Sequence, residues 1–238
     1  MKTLRSNIFT FLVFIFLSSP LFAVTISPTV IDINSNQKIV TLTFVNDTGR
    51  EINIQSSTLI WKQVNGKDTY SPSNDLIVVP AIVKIPGGKS QNFRVTKRVL
   101  DAADSELSYR LYLEDITPAF TDPNKTDPGI FFKFNQNLPV YYYTGKPNTK
   151  KALKVTFCSA DSKQTCVRVE NSENVRALLN NISFKSPDGK PLDNVDANVN
   201  GTILSSSWKE FRFNTPANKS DTLIIKSSFG DFEVPYKK

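Results

Sequence analysis

Histidine is absent from the 238 residues. That removes Ser-His-Asp and Cys-His catalysis, and with them the commonest protein ligand for metal ions. Glycine is scarce, with nine residues, and none of them builds a phosphate-binding loop. Cysteine is limited to Cys158 and Cys166, whose spacing fits neither C-x-x-C nor a zinc pattern. Carboxylates are present, but nothing places two of them in an apolar cleft. No catalytic residue, metal or cofactor is therefore expected, and an enzyme is the disfavoured reading. Leu- and Ala-rich helical periodicity is also missing. What the chain has instead is Val, Ile, Phe, Thr, Tyr and Asn in short runs, punctuated by Pro and Asn. That composition predicts an all-β protein.

Residues 1–23 read as a secretory signal peptide. Lys2 and Arg5 supply the positive start, Ile8–Leu17 the apolar run, and Ala23 the small residue before cleavage. The apolar run is short for a membrane span, which needs about 20 residues. No later stretch is long and apolar enough to span. The formal charge is +7, and leaving out Lys2 and Arg5 lowers it to +5. The remaining basic residues are scattered, without an Arg-rich helix or an aromatic–basic module, so nucleic acid is not an expected partner. In an exported chain, one even pair of cysteines points to a Cys158–Cys166 disulfide. The polar segment Ser159–Thr165 between them suggests a stapled hairpin.

Read in order, Val24–Ile33 is an extended segment interrupted at Pro28, which places it at a sheet edge or crossing between sheets. Strands follow at Lys38–Val45 and Ile52–Trp61, with turns at Asn34–Gln37 and Asn46–Gly49. Asn65-Gly66 is a hairpin signal. Further strands are expected at Leu76–Pro80, Ala81–Ile85, Ser90–Val95 and Leu107–Ile116. In the last, Tyr109, Leu111 and Leu113 share one face, with Arg110 and Tyr112 on the other. About seven short strands fit an Ig-like sandwich. After Thr117–Pro128 and the long strand described next, Gly145–Lys150 reads as a linker. The pattern then restarts at Leu153–Phe157, Cys166–Glu170, Ala177–Phe184, Val195–Val199, Thr202–Ser206, Phe211–Phe213, Leu223–Ile225 and Phe232–Tyr236. The expected organisation is a leader over 1–23, an Ig-like domain over 24–144, and a smaller β-sandwich over 145–238.

The segment Gly129–Tyr143 is read as one long strand. Ile130, Phe132 and Phe134 alternate onto one face, with Lys133 and Asn135 on the other. Pro139 has no N–H, so the strand cannot be paired through both edges there. Long apolar edges recruit other chains and are usually avoided. Keeping one suggests that recruitment is its purpose, and it also allows self-association of the free protein.

Several stretches, in this order, resemble the periplasmic chaperones of the chaperone–usher pilus pathway. They are the extended Val24–Ile33, then Thr43-Phe44-Val45-Asn46, then the run Leu76–Val95 with its Pro-Gly turn, Ser90-Gln91 and Arg94. Ser108–Ile116, a proline-rich loop, an alternating strand and a tyrosine-rich segment follow. In the second half, Val167–Asn171 and Phe229–Phe232 fall where the family has similar turns. The resemblance implies two Ig-like β-sandwich domains set in a boomerang. It implies partners of two kinds: pilus subunits that are incomplete Ig folds, and an outer-membrane usher to which they are delivered. It also implies that Ile130, Phe132 and Phe134 are lent to a subunit by β-augmentation. A secreted tandem Ig-like pilus subunit or adhesin is the alternative.

The resemblance departs from its best-known branch at the carboxylate anchor. That branch holds the subunit's C-terminus with an Arg in the first strand and a Lys late in the long strand. Here those places fall near Thr29 and at Pro139, which carry no charge. This resembles the archaic branch. Arg94 and Arg110, expected on neighbouring strands facing the inter-domain cleft, are the candidate anchors, with Lys97 and Arg98 behind them. The family often joins its domains through an Arg–Glu–Asp cluster, and Arg94, Glu106 and Asp231 occupy matching places, so Arg94 has two rival roles.

Overall fold

A computed structural model describes residues 24–118, 133–146, 152–158, 165–190, 201–213 and 221–236. Seventeen strands and no helix occur among them. The first half contributes ten: β1 (Val24–Ser27), β2 (Ile31–Asn34), β3 (Ile39–Asn46), β4 (Ile52–Val64), β5 (Lys67–Pro72), β6 (Leu76–Val79), β7 (Ile82–Ile85), β8 (Lys89–Lys97), β9 (Leu107–Asp115) and β10 (Asn135–Tyr143). They form two sheets. One has the order β1-β3-β8-β6; the other runs β2-β10-β9-β4-β5, with β7 also paired to β4.

Alternation sets which face each strand buries. Leu42 and Phe44 of β3, Phe93 and Val95 of β8, Leu111 and Leu113 of β9, and Val140 and Tyr142 of β10 all meet in one core. Pro28 does what a strand-breaking residue should. The chain pairs with β3 through Val24–Ser27, leaves that sheet, and pairs with β10 in the other through Ile31–Asn34. A second crossing follows Val79, where β6 ends in the first sheet and β7 joins the second. Asn65 (φ 51°) and Gly66 (φ 76°) form the two-residue turn between β4 and β5, both left-handed as a hairpin of this length demands.

The second half contributes β11 (Leu153–Cys158), β12 (Thr165–Asn171), β13 (Ala177–Lys185), β14 (Gly201–Ile203), β15 (Ser207–Phe213), β16 (Thr222–Ser227) and β17 (Gly230–Pro235). The sheets are β11-β12-β15 and β14-β13-β16-β17. They enclose a separate core that includes Val167, Val169, Ile182, Phe184, Phe213, Leu223 and Ile225. Cys158 and Cys166 face each other across β11 and β12 and are disulfide-bonded. The expected strand at Val195–Val199 lies outside the described residues.

One device recurs in both halves. Asn46, at the end of β3, donates from Nδ2 to the carbonyls of Arg50 and Ile85, both at 2.9 Å, and its Oδ1 accepts the Thr48 N–H at 3.1 Å. Asn171, at the end of β12, donates to the carbonyls of Val175 at 2.9 Å and Leu204 at 3.0 Å, and accepts the Glu173 N–H at 3.0 Å. Both side chains are fully buried. A buried amide with its hydrogen bonds made fixes a turn, whereas one left unmade costs about 1–3 kcal/mol.

Candidate functional site

β10 is unequally covered. On one side it pairs with β9 along its length, from Asn135 opposite Glu114 to Tyr142 opposite Leu107. On the other side β2 covers only Val140–Tyr143. Asn135–Pro139 therefore has one edge without a strand beside it among the described residues. Leu138, Val140 and Tyr142 point into the core and fix the register of the strand. Phe134 precedes β10, is half-buried, and its carbonyl accepts the Asp115 N–H at 3.1 Å. Ile130 and Phe132 lie outside the described residues, as does the first part of the long strand expected over 129–143.

The outward face of the same sheet carries Arg110. Its neighbours across the sheet are Pro139 on β10 and Leu59 on β4. The guanidinium carbon lies 3.8 Å from the centre of the Trp61 ring, and its buried Nε has no hydrogen-bond partner among the described residues. Stacking of this kind contributes about 0.5–2 kcal/mol. Trp61 is itself buried, beside Tyr141 and Leu204. Its Nε1–H donates to Asp68 Oδ1 at 2.9 Å.

The two halves meet at a charged cluster. Arg176 binds Glu106 Oε2 through Nη1 at 2.5 Å and Asp32 Oδ1 through Nη2 at 2.7 Å. Its guanidinium also lies 3.6 Å from the Tyr141 ring centre. The Arg176 backbone N–H reaches Glu106 Oε1 at 3.1 Å. Burial pushes the Glu106 carboxyl above the ordinary carboxylate range, although Arg176 pulls it back. A second contact comes from the β4–β5 hairpin. Gln63 Nε2 donates to the Thr202 carbonyl at 2.8 Å and Gln63 Oε1 accepts the Leu204 N–H at 3.0 Å. Asp68 bridges to Lys209 at 2.9 Å, and Gly66 lies against the Trp208 ring.

This differs from the expected placement of the basic residues. Arg94 and Arg110 are not on neighbouring strands: β8 and β9 belong to opposite sheets. Arg94 is exposed, opposite Thr41 and Val79, and Asp231 is exposed on β17 opposite Lys226. Of the expected Arg–Glu–Asp set, the cluster contains Glu106 alone, with Arg176 and Asp32 in place of Arg94 and Asp231. Lys97 is buried and committed to Asp101 at 2.7 Å and the Val99 carbonyl at 2.8 Å. Arg98 donates to the Asn74 carbonyl at 2.8 Å. Sequence reasoning missed Arg176 and Asp32, whose partners lie 70 and 144 residues away, and Trp61 and Asp68, whose mutual bond forms only when the β4–β5 hairpin closes.

Residues 23–145 match the family model described as pili and flagellar-assembly chaperone, PapD N-terminal domain. The chain belongs to this chaperone family. The search of curated proteins found no match. Among solved structures, the chaperone is similar to the CsuC–CsuE chaperone–tip adhesion subunit pre-assembly complex of the archaic Csu pili of Acinetobacter baumannii. That match has 20% identity and a TM-score of 0.67, covering 91% of this chain and 100% of the other. The class 5 fimbriae chaperone CfaA aligns at 19% identity and TM-score 0.57, covering 91% of this chain and 100% of its own. The Pseudomonas aeruginosa CupB2 chaperone aligns at 15% and 0.60, covering 90% and 100%. These likenesses establish the two-domain β-sandwich fold of the chaperone.

Proposed function

We propose that this protein is a periplasmic chaperone that captures incomplete Ig-like pilus subunits by lending them a strand, and delivers them to an outer-membrane usher. The observation that carries the reading is the uncovered edge of β10 at Asn135–Pro139. Backbone N–H and C=O groups along an open edge are a template for another strand. Ile130, Phe132 and Phe134 precede or adjoin that edge and are the side chains lent. Each contributes about 1.5–3 kcal/mol when buried in a partner. Left free, the same edge is open to a second copy of the chain. The leader over 1–23 and the Cys158–Cys166 disulfide support an oxidising, exported location. The first domain ends at residue 144 in this reading.

Arg110 is the proposed anchor for the subunit's terminal carboxylate. It stands directly across from Pro139, the position where the best-known branch of the family would carry a Lys. An Arg there presents a planar fork suited to a carboxylate. Arg94, exposed in the other sheet, is the weaker choice. Phe134→Asp should leave the urea midpoint of the free protein nearly unchanged and abolish co-purification with a co-expressed Ig-like subunit from the periplasm. Normal co-purification by that variant and by Phe132→Asp would remove the strand-lending reading.

A further inference from the structure

The surroundings of Arg110 extend across the joint between the two halves. The Arg110 guanidinium carbon sits over the Trp61 ring, 3.8 Å from its centre, so the ring closes one side of the guanidinium and fixes where its planar fork can receive a carboxylate. The Trp61 ring is in turn set by its buried Nε1–H, which needs an acceptor. Asp68 supplies one at 2.9 Å. Asp68 also accepts from Gln63 Nε2 at 2.9 Å and, through Oδ2, from Lys209 at 2.9 Å. Lys209 belongs to β15, on the far side of the joint. The connection therefore runs Lys209, Asp68, Trp61, Arg110, with contacts of 2.9, 2.9 and 3.8 Å.

We propose that Asp68 is a positioning residue for the carboxylate-binding Arg110, held in place by Lys209, so that the anchor is correctly set only while the two domains are docked. This rests on the reading of Arg110 given above. Burial works against ionisation of Asp68, but the hydrogen bonds from Lys209, Gln63 and Trp61 outweigh it and hold the carboxyl below its usual range. Asp68 is thus an anion at neutral pH, bonded at once to the indole and to the second domain.

The test is a side-chain NMR titration of the full chain with acetate, using acetamide as the uncharged control. The signals followed are the Arg110 Nε–H and the Trp61 Nε1–H. In the native protein, acetate should move the Arg110 signal saturably and acetamide should not; Arg110→Lys should lose the response. Asp68→Ala should weaken acetate binding about tenfold, and Asp68→Asn, which keeps an acceptor for the indole, should restore most of it. Lys209→Met should give a smaller loss. Should Asp68→Ala fold poorly, the Asp68→Asn and Lys209→Met pair carries the test. A lower urea midpoint with native acetate affinity in Asp68→Ala would make Asp68 merely structural and overturn the proposal. Native affinity in Lys209→Met would overturn the role of domain docking. No acetate response in the native protein would instead overturn the anchor reading beneath it.

Discussion

Replacing Arg176 by Met removes the cation at the centre of the joint while keeping an unbranched stem. Glu106 is then left with its side chain 4% exposed and no cation beside it. Breaking a buried ion pair from one side costs about 3–5 kcal/mol. Two features place this case at the lower end. Arg176 is 18% exposed, and Glu106 keeps the backbone N–H of residue 176 at 3.1 Å. Losing the Tyr141 face adds about 0.5–1 kcal/mol. The Asp32 contact, 52% exposed on the carboxylate side, adds under about 1 kcal/mol. The expected loss is about 4 kcal/mol, read from urea unfolding of the full chain by tryptophan fluorescence. Trp61 and Trp208 both sit at the joint, so uncoupling the domains should also broaden or split the transition. The pH dependence separates this cause from others. Burial lifts the Glu106 carboxyl above its ordinary value, so the folded state holds that proton more tightly than the unfolded chain. The group's contribution is complete below the ordinary value and is lost as pH rises through the raised one. Without Arg176 the carboxyl rises further and that window widens. The deficit of Arg176→Met should therefore be largest near neutrality and shrink toward about pH 4. A deficit below about 0.5 kcal/mol, or one equal at both pH values, would refute the reasoning.

Two further predictions concern single positions. Gly66→Ala should lower stability by more than Gly88→Ala. Both glycines have positive φ, which costs a side chain about 1–2 kcal/mol, but only at Gly66 would the new methyl stand 2.4 Å from the Trp208 ring; equal urea midpoints would deny the hairpin contact. Arg110→Ala should weaken subunit capture in co-purification more than Lys97→Ala, because Lys97 is already spent on Asp101 and the Val99 carbonyl; equal capture would remove Arg110 as the anchor.

The strands were legible where burial alternates. Tyr109, Leu111 and Leu113 are buried on one face of β9 as their spacing predicts. β5 was harder to read. Its six residues are all exposed, so no apolar alternation marks it, and only Asn65-Gly66 announces the returning strand. Val24–Ile33 carries a break at Pro28, but which sheet each half joins depends on β3 and β10, far along the chain. The charged joint was the least legible part. Arg176 lies 70 residues from Glu106 and 144 from Asp32, and no local pattern connects them. Family resemblance pointed to Glu106 but supplied the wrong cation, because Arg94 sits on a sheet that does not face the joint. Trp61 reads locally as an apolar strand residue; its bond to Asp68 depends on the hairpin closing.

The inner side chains of β10 have a mechanical consequence. Leu138 is packed in the core at one end of the uncovered row, and β9 runs alongside the whole of it. The row is a cantilever, clamped along one side and at its root. Straightening a free chain costs about 1–2 kcal/mol per residue in backbone entropy, and over Asn135–Pro139 folding has already met that cost. A strand docking there has only its own disorder to lose. The open edge also cannot curl back to satisfy itself, because peeling it away would pull Leu138 from the core.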